Sequence, residues 1–124
     1  MLVKDLMKQP YVIEKDISLA EAAKIMGTKN IGSLIFSSGG EVKGIVTERD
    51  IMKNFSKNEK VSKVMATKVI TIKPDETIDR AMELMRDNKI KRLPVTEGRK
   101  LVGIITLTDL AEHFEALEED FLIE

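Results

Sequence analysis

Gly44-Ile45-Val46-Thr47-Glu48-Arg49-Asp50-Ile51 is written a second time, 59 residues later, as Gly103-Ile104-Ile105-Thr106-Leu107-Thr108-Asp109-Leu110. Both stretches read glycine, two β-branched residues, threonine, two variable positions, aspartate and an aliphatic residue. A β-branched run ending on threonine, with a carboxylate three positions on, predicts a strand that turns into a helix. Such a corner points free backbone N–H groups and the positive end of a helix dipole outward, which suits an anion such as phosphate. The aspartate beside it can accept hydrogen bonds from sugar hydroxyls. The same two residues at the same spacing also make a helix cap, so one copy alone reads equally well as capping. The two uses are compatible, since the carboxylate's second oxygen is expected to stay free.

The duplication extends past these corners. Laying residues 13–55 on residues 72–114 without a gap gives 12 identities in 43 positions, among them Asp16/Asp75, Ala22/Ala81, Met26/Met85, Leu34/Leu93 and Phe55/Phe114. Val3-Lys4-Asp5-Leu6-Met7 matches Val61-Ser62-Lys63-Val64-Met65 once a single residue is inserted afterwards. The whole chain is therefore two copies of one unit, 1–57 and 58–124, and nothing remains for a separate catalytic domain. Half of a 124-residue chain buries too little surface to be comfortably stable, so the halves are expected to share a core.

Composition excludes several classes of function. Lys plus Arg number 20 against 21 Asp plus Glu, so no general field draws the chain to nucleic acid or an anionic membrane. Aromatic residues at 4% also offer few stacking platforms for bases. With no cysteine and one histidine there is no disulfide, no thiol chemistry and no zinc-ligand set. No nucleophile stands beside a base, and an enzyme is not expected. The first residues are too charged for a signal peptide and no apolar run has membrane-spanning length, so the expectation is a cytoplasmic protein.

Read in order, residues 3–8 form a short helical lead-in and Tyr11-Val12-Ile13 a short strand. Asp16 or Ser18 opens a helix, with Ser18 and Glu21 at capping-box spacing, that ends near residues 28–30. Residues 31–36 and 42–46 read as a hairpin around the turn 37–41, and Thr47 opens a helix to about Phe55. The polar stretch 56–60 is the linker. The second copy repeats the order: strand 69–72, helix from Thr77 to about Asn88, strand 92–96, turn 97–100, strand 101–105 and a helix from Thr106. Each unit is thus β-α-β-β-α, an α/β fold of α+β character. The two units are expected to pack sheet to sheet about an approximate two-fold axis, with the Thr-x-x-Asp corners in two equivalent clefts. From Ala111 to Glu124 the chain is acidic on one face. Leu110, Phe114, Leu117 and Phe121 form an apolar stripe on the other, suited either to a dimer contact or to the chain's own core.

This duplicated unit, each copy ending in Gly-h-h-Thr-x-x-Asp-h (h apolar), with Lys91-Arg92-Leu93-Pro94-Val95 in the second, resembles a pair of CBS domains, the Bateman module. The resemblance covers essentially the whole chain. It implies a non-enzymatic sensor that binds AMP, ADP, ATP or S-adenosylmethionine in the inter-unit clefts and regulates a partner protein, as a homodimer. Carried over by position, Asp50 and Asp109 would bind ribose hydroxyls, and Thr47 and Thr106 ribose or phosphate. The base would lie near Tyr11 and Ile70 and against Gly32 or Lys91. Arg49 and Arg92, with Lys91 as a helper, would reach phosphate; without the family pattern, both arginines read as solvated surface charges. Thr108 stands where the first copy has Arg49, and Ser33 where the second has Arg92, so the clefts are expected to differ in affinity. The alternative is an interaction scaffold whose clefts are vestigial and whose Thr-x-x-Asp motifs serve only as caps.

Overall fold

Four helix starts are marked by a hydroxyl side chain, and the structure uses all four. Ser18 Oγ accepts from the Glu21 N–H (3.1 Å) and Thr77 Oγ1 from the Arg80 N–H (3.1 Å). Thr47 and Thr106 do the same for the Asp50 and Asp109 N–H groups. Each satisfies a donor that the first turn of a helix leaves without a partner.

The computed structural model describes the backbone of residues 1–123 and the side chains of residues 1–117. In chain order the elements are α1 (Val3–Leu6), β1 (Val12–Ile13), α2 (Leu19–Lys29), β2 (Ser33–Ser38), β3 (Glu41–Thr47), α3 (Glu48–Lys53), α4 (Val61–Val64), α5 (Ile78–Asn88), β4 (Arg92–Glu97), β5 (Lys100–Thr106) and α6 (Leu107–Ile123). β1 runs parallel to β2, while β2 with β3 and β4 with β5 are antiparallel hairpins. The expected β-α-β-β-α order is present in the first repeat, and in the second the leading strand is reduced to a single bridge.

Several boundaries differ from the sequence expectation for local reasons. The strand expected over residues 69–72 shrinks to one parallel bridge, Ile72 with Val95, held by two backbone hydrogen bonds of 3.1 and 2.9 Å. Pro94 stands where the first repeat has Ile35, whose N–H donates to the Tyr11 carbonyl (3.0 Å), and with no N–H it cannot make the matching bond to Ile70. The strand expected from Ile31 begins at Ser33, because the Ile31 N–H still closes α2 by donating to the Met26 carbonyl (3.0 Å). The broader turns expected at 37–41 and 97–100 tighten to Gly39-Gly40 and Gly98-Arg99, since Ser38 pairs with Glu41 and Glu97 with Lys100. Gly39 and Gly40 have φ of 61° and 82°, the left-handed pair that a two-residue hairpin turn requires. α3 stops at Lys53, short of Phe55.

Helices α2 and α5 both leave through a left-handed residue that is not glycine: Asn30 (φ 55°) and Lys89 (φ 54°). Asparagine tolerates that conformation, whereas a lysine side chain crowds its own backbone there. Lys89→Gly is expected to stabilise the protein by about 0.5–1 kcal/mol, read as a higher urea midpoint with an unchanged slope.

The chain divides into two compact units that cut across the repeats. One spans Pro10–Val69, and the other joins Met1–Gln9 to the chain from Ile70 onward. The core of the first is Ile13, Leu19, Ala22, Met26, Leu34, Val46 and Val61. The core of the second is Val3, Ile72, Ile78, Ala81, Met85, Leu93, Val95, Ile105 and Leu110. Each lead-in helix therefore serves the other repeat: Val3 and Val61 are fully buried in cores built by residues far along the chain.

Backbone pairing fixes both lead-ins. Val3 and Lys4 N–H donate to the carbonyls of Glu76 and Pro74, and Lys8 exchanges two 2.9 Å hydrogen bonds with Ile104 of β5. In the Pro10–Val69 unit, Ala66 exchanges the corresponding pair with Ile45 of β3 (3.0 and 2.9 Å). The Ser62 N–H and hydroxyl both donate to the Asp16 carboxylate, which holds that carboxyl below its ordinary pKa. The repeated glycine of each motif makes room for a lead-in methionine. A Cβ on Gly103 would stand 2.7 Å from Met7 Sδ, and one on Gly44 would stand 2.5 Å from Met65 Sδ.

On α6, Leu110 is buried, while Phe114 and Leu117 are exposed. Of the expected acidic face, Glu112 and Glu115 are exposed, while Glu118, Glu119, Asp120 and Glu124, with Phe121 of the stripe, lie outside the described side chains.

Candidate functional site

Both Thr-x-x-Asp corners fold as reciprocal capping boxes. The Thr47 N–H (2.9 Å) and hydroxyl (3.1 Å) donate to Asp50 Oδ2, and the Asp50 N–H returns a bond to Thr47 Oγ1 (3.4 Å). At the other corner the distances are 2.9, 2.8 and 3.1 Å among Thr106 and Asp109. The aspartate thereby closes a donor of the preceding strand, and its rotamer is set by two bonds to a single oxygen. Among the described residues, only these two helix starts combine the threonine acceptor with a carboxylate reaching back to the cap N–H.

The corners differ at the second carboxylate oxygen. Asp50 is half-buried and its Oδ1 has no hydrogen-bond partner among the described residues. Asp109 is only 7% exposed, and its Oδ1 lies 2.9 Å from Lys8 Nζ, with Glu112 a further 3.9 Å contact of the same ammonium. The bond to Asp109 and the attraction of its charge raise the Lys8 ammonium above its ordinary pKa. The expectation that the second oxygen stays free thus holds for Asp50 and is corrected for Asp109. The physical reason is the exchanged lead-in, which lays Lys8 beside β5 and brings its side chain to the carboxylate.

The remaining sequence-derived positions divide between the two units. In the Pro10–Val69 unit, the Gly32 carbonyl accepts from the Glu48 N–H (3.1 Å), Ser33 lies opposite Thr47, and the Tyr11 carbonyl accepts from the Ile35 N–H (3.0 Å). Gly32 and Ser33 are thus brought to the Thr47–Asp50 corner, whereas Tyr11 sits at the start of β1. Arg49 is exposed on α3 with no ion pair or hydrogen bond among the described residues. In the other unit, the Lys91 carbonyl accepts from the Leu107 N–H (2.8 Å) and Arg92 lies opposite Thr106. Thr108 is exposed on the first turn of α6, and Ile70 packs against the Val3–Leu110 core. A separate apolar cavity of about 330 Å³, lined by Leu19, Ala23, Ile51 and Phe55 with the linker, contains none of these positions.

Lys8 is the residue that sequence reading missed. Matching the lead-ins at an offset of 58 sets it against Ala66, so a difference between the copies was visible, but its partner depends on the exchange. Among the described residues no three His, Asp or Glu side chains gather as a metal site, and no helix is long and apolar enough to cross a membrane.

Two copies of a small α/β unit, each closing on a threonine-capped corner with a first-turn aspartate, place the chain among proteins built by tandem duplication. The CBS-domain pattern matches residues 3–57 and again 61–116, and the chain belongs to the CBS domain family. It is 34% identical over 115 residues to the CBS domain-containing protein YhcV of Bacillus subtilis, spanning 88% of this chain and 82% of that one. Among solved structures, the CBS domain pair of protein MJ0100 in complex with 5′-methylthioadenosine and S-adenosyl-L-methionine superposes with a TM-score of 0.87 at 36% identity, over 94% of this chain and 97% of that one. The CBS domain protein PAE2072 of Pyrobaculum aerophilum, complexed with AMP, shares the fold at 20% identity and a TM-score of 0.82, over 89% and 90% of the two chains.

Proposed function

We propose that this chain is a cytoplasmic, non-enzymatic sensor that binds an adenosine-containing ligand, AMP, ADP, ATP or S-adenosylmethionine, at its Thr-x-x-Asp corners. The observation that carries this reading is Asp50, whose carboxylate is held rigid through one oxygen and keeps the other for a donor. A ribose offers two adjacent hydroxyl donors, and charge-assisted bonds to a fixed carboxylate are the strong kind. The relationship to MJ0100, whose CBS pair holds two adenosine compounds, supports the same ligand class. Asp50 and Asp109 take the ribose, and Thr47 and Thr106 border it. Arg49, Arg92 and Lys91 are the cations for a phosphate, with Thr108 a neutral replacement for the first. Tyr11 and Ile70 each border a base, with Gly32 or Lys91 against it.

A sensor needs an output, and the exposed apolar side chains on and just beyond the helices after each corner offer one. Met52 and Phe55 are 73% and 81% exposed, and Leu107, Phe114 and Leu117 are exposed on α6. We assign these surfaces to a homodimer contact and to a partner protein that reads the ligand state. Calorimetric titration with S-adenosylmethionine, 5′-methylthioadenosine, AMP and ATP tests the reading. At least one is expected to bind below millimolar and to raise the melting temperature. Binding by none of them would leave the scaffold as the better account.

A further inference from the structure

We propose that Lys8 is a specificity-determining residue of the Thr106–Asp109 corner: its ammonium occupies the carboxylate oxygen that a vicinal diol needs, so an uncharged nucleoside binds there only by displacing it. The inference rests on the reading of Asp109 as a diol ligand and adds a competitor to it. Oδ2 of Asp109 is committed to the Thr106 N–H and hydroxyl, and Lys8 Nζ stands 2.9 Å from Oδ1. The carboxylate side chain is 6% exposed, so little room is left for a second donor while the lysine stays. The lysine side chain is itself 65% exposed, so on release its charge returns to water at little cost.

The Pro10–Val69 unit supplies an internal control. Ala66 and Lys8 occupy equivalent places, each exchanging two backbone hydrogen bonds with the isoleucine of its motif, Ile45 or Ile104. Ala66 has no ammonium to offer, and Asp50 Oδ1 is open. The two corners are therefore alike in backbone and capping and opposite in whether the diol acceptor is already taken.

The test uses 5′-methylthioadenosine, a diol with no charge, and resolves the corners with Asp50→Asn and Asp109→Asn. In the Asp50→Asn background, Lys8→Met is expected to tighten binding about three- to tenfold. In the Asp109→Asn background, Ala66→Lys, at an exposed position, is expected to weaken it by a similar factor. Raising salt from roughly 50 to 500 mM should tighten binding at the Asp109 corner, because screening loosens the ion pair, and Lys8→Met should abolish that dependence. Unchanged or weaker binding in Lys8→Met, with no salt effect in the parent, would overturn the proposal. Undiminished binding in the Asp50→Asn/Asp109→Asn double variant would instead remove the diol reading itself, a separate failure.

Discussion

Removing Met1–Gln9 is expected to unfold the unit built on Ile72, Leu93 and Ile105, although no residue of the second repeat is touched. Val3 is completely buried in that core, with Leu6 and Met7 packed against it. Together these side chains represent roughly 4 kcal/mol of apolar burial. The deletion also strips the partners of five backbone hydrogen bonds made by Met1, Val3, Lys4 and Lys8 with Pro74, Glu76, Ile78 and Ile104. Against the few kcal/mol available to a unit of this size, that loss is decisive. Amide hydrogen exchange should show protection collapsing over residues 70–110. Retained protection there would mean that the lead-in is dispensable. Val3→Ala is the graded version and should cost about 1–3 kcal/mol.

Asp50→Asn is expected to lower the affinity of the Thr47 corner for an adenosine ligand tenfold or more while leaving the fold almost unchanged. The amide oxygen of asparagine can still accept from the Thr47 N–H and hydroxyl, so the cap survives to within about 1 kcal/mol. The charge that strengthens a ribose bond does not survive, and a charge-assisted bond exceeds a neutral one by roughly 1–2 kcal/mol. Calorimetry and thermal melting on the same sample separate the two effects. A fall in melting temperature with no change in affinity would mark Asp50 as a cap and nothing more.

What could be read from the sequence was what neighbouring residues decide among themselves. Ser18, Thr47, Thr77 and Thr106 cap helices because each hydroxyl reaches an N–H three residues away, and that spacing is written in the chain. The hairpins followed from glycines at positions whose backbone demands them. Helix exits were harder: Asn30 carries a signal for the left-handed conformation and Lys89 carries none except its match to Asn30. The strand expected at 69–72 is cut to a bridge because Pro94 on the facing strand has no N–H for the Ile70 carbonyl, which an apolar run does not reveal. At the candidate site, the pairing of Thr47 with Asp50 and of Thr106 with Asp109 was legible. The Lys8–Asp109 pair was not, because it joins residues near opposite ends of the chain. Nothing local distinguishes Val3-Lys4-Asp5-Leu6-Met7 packing on its own repeat from packing on the other.

The exchange of lead-ins also sets the order of events during synthesis. Residues 1–9 leave the ribosome before everything that follows them here, yet the surface that buries Val3 is completed only when β5 and α6 have been made. At ordinary translation speeds of about 5–20 residues per second, the lead-in waits several seconds with its apolar side chains uncovered. The Pro10–Val69 unit needs no such delay, since every residue of its core is already available once Val61 has emerged. Closing the long loop from Val3 to Ile72 carries an entropic cost that grows only with the logarithm of its length. This segment, made before the rest of its unit, should therefore be the last part of that unit to dock, and in the interval it is open to a chaperone or a protease.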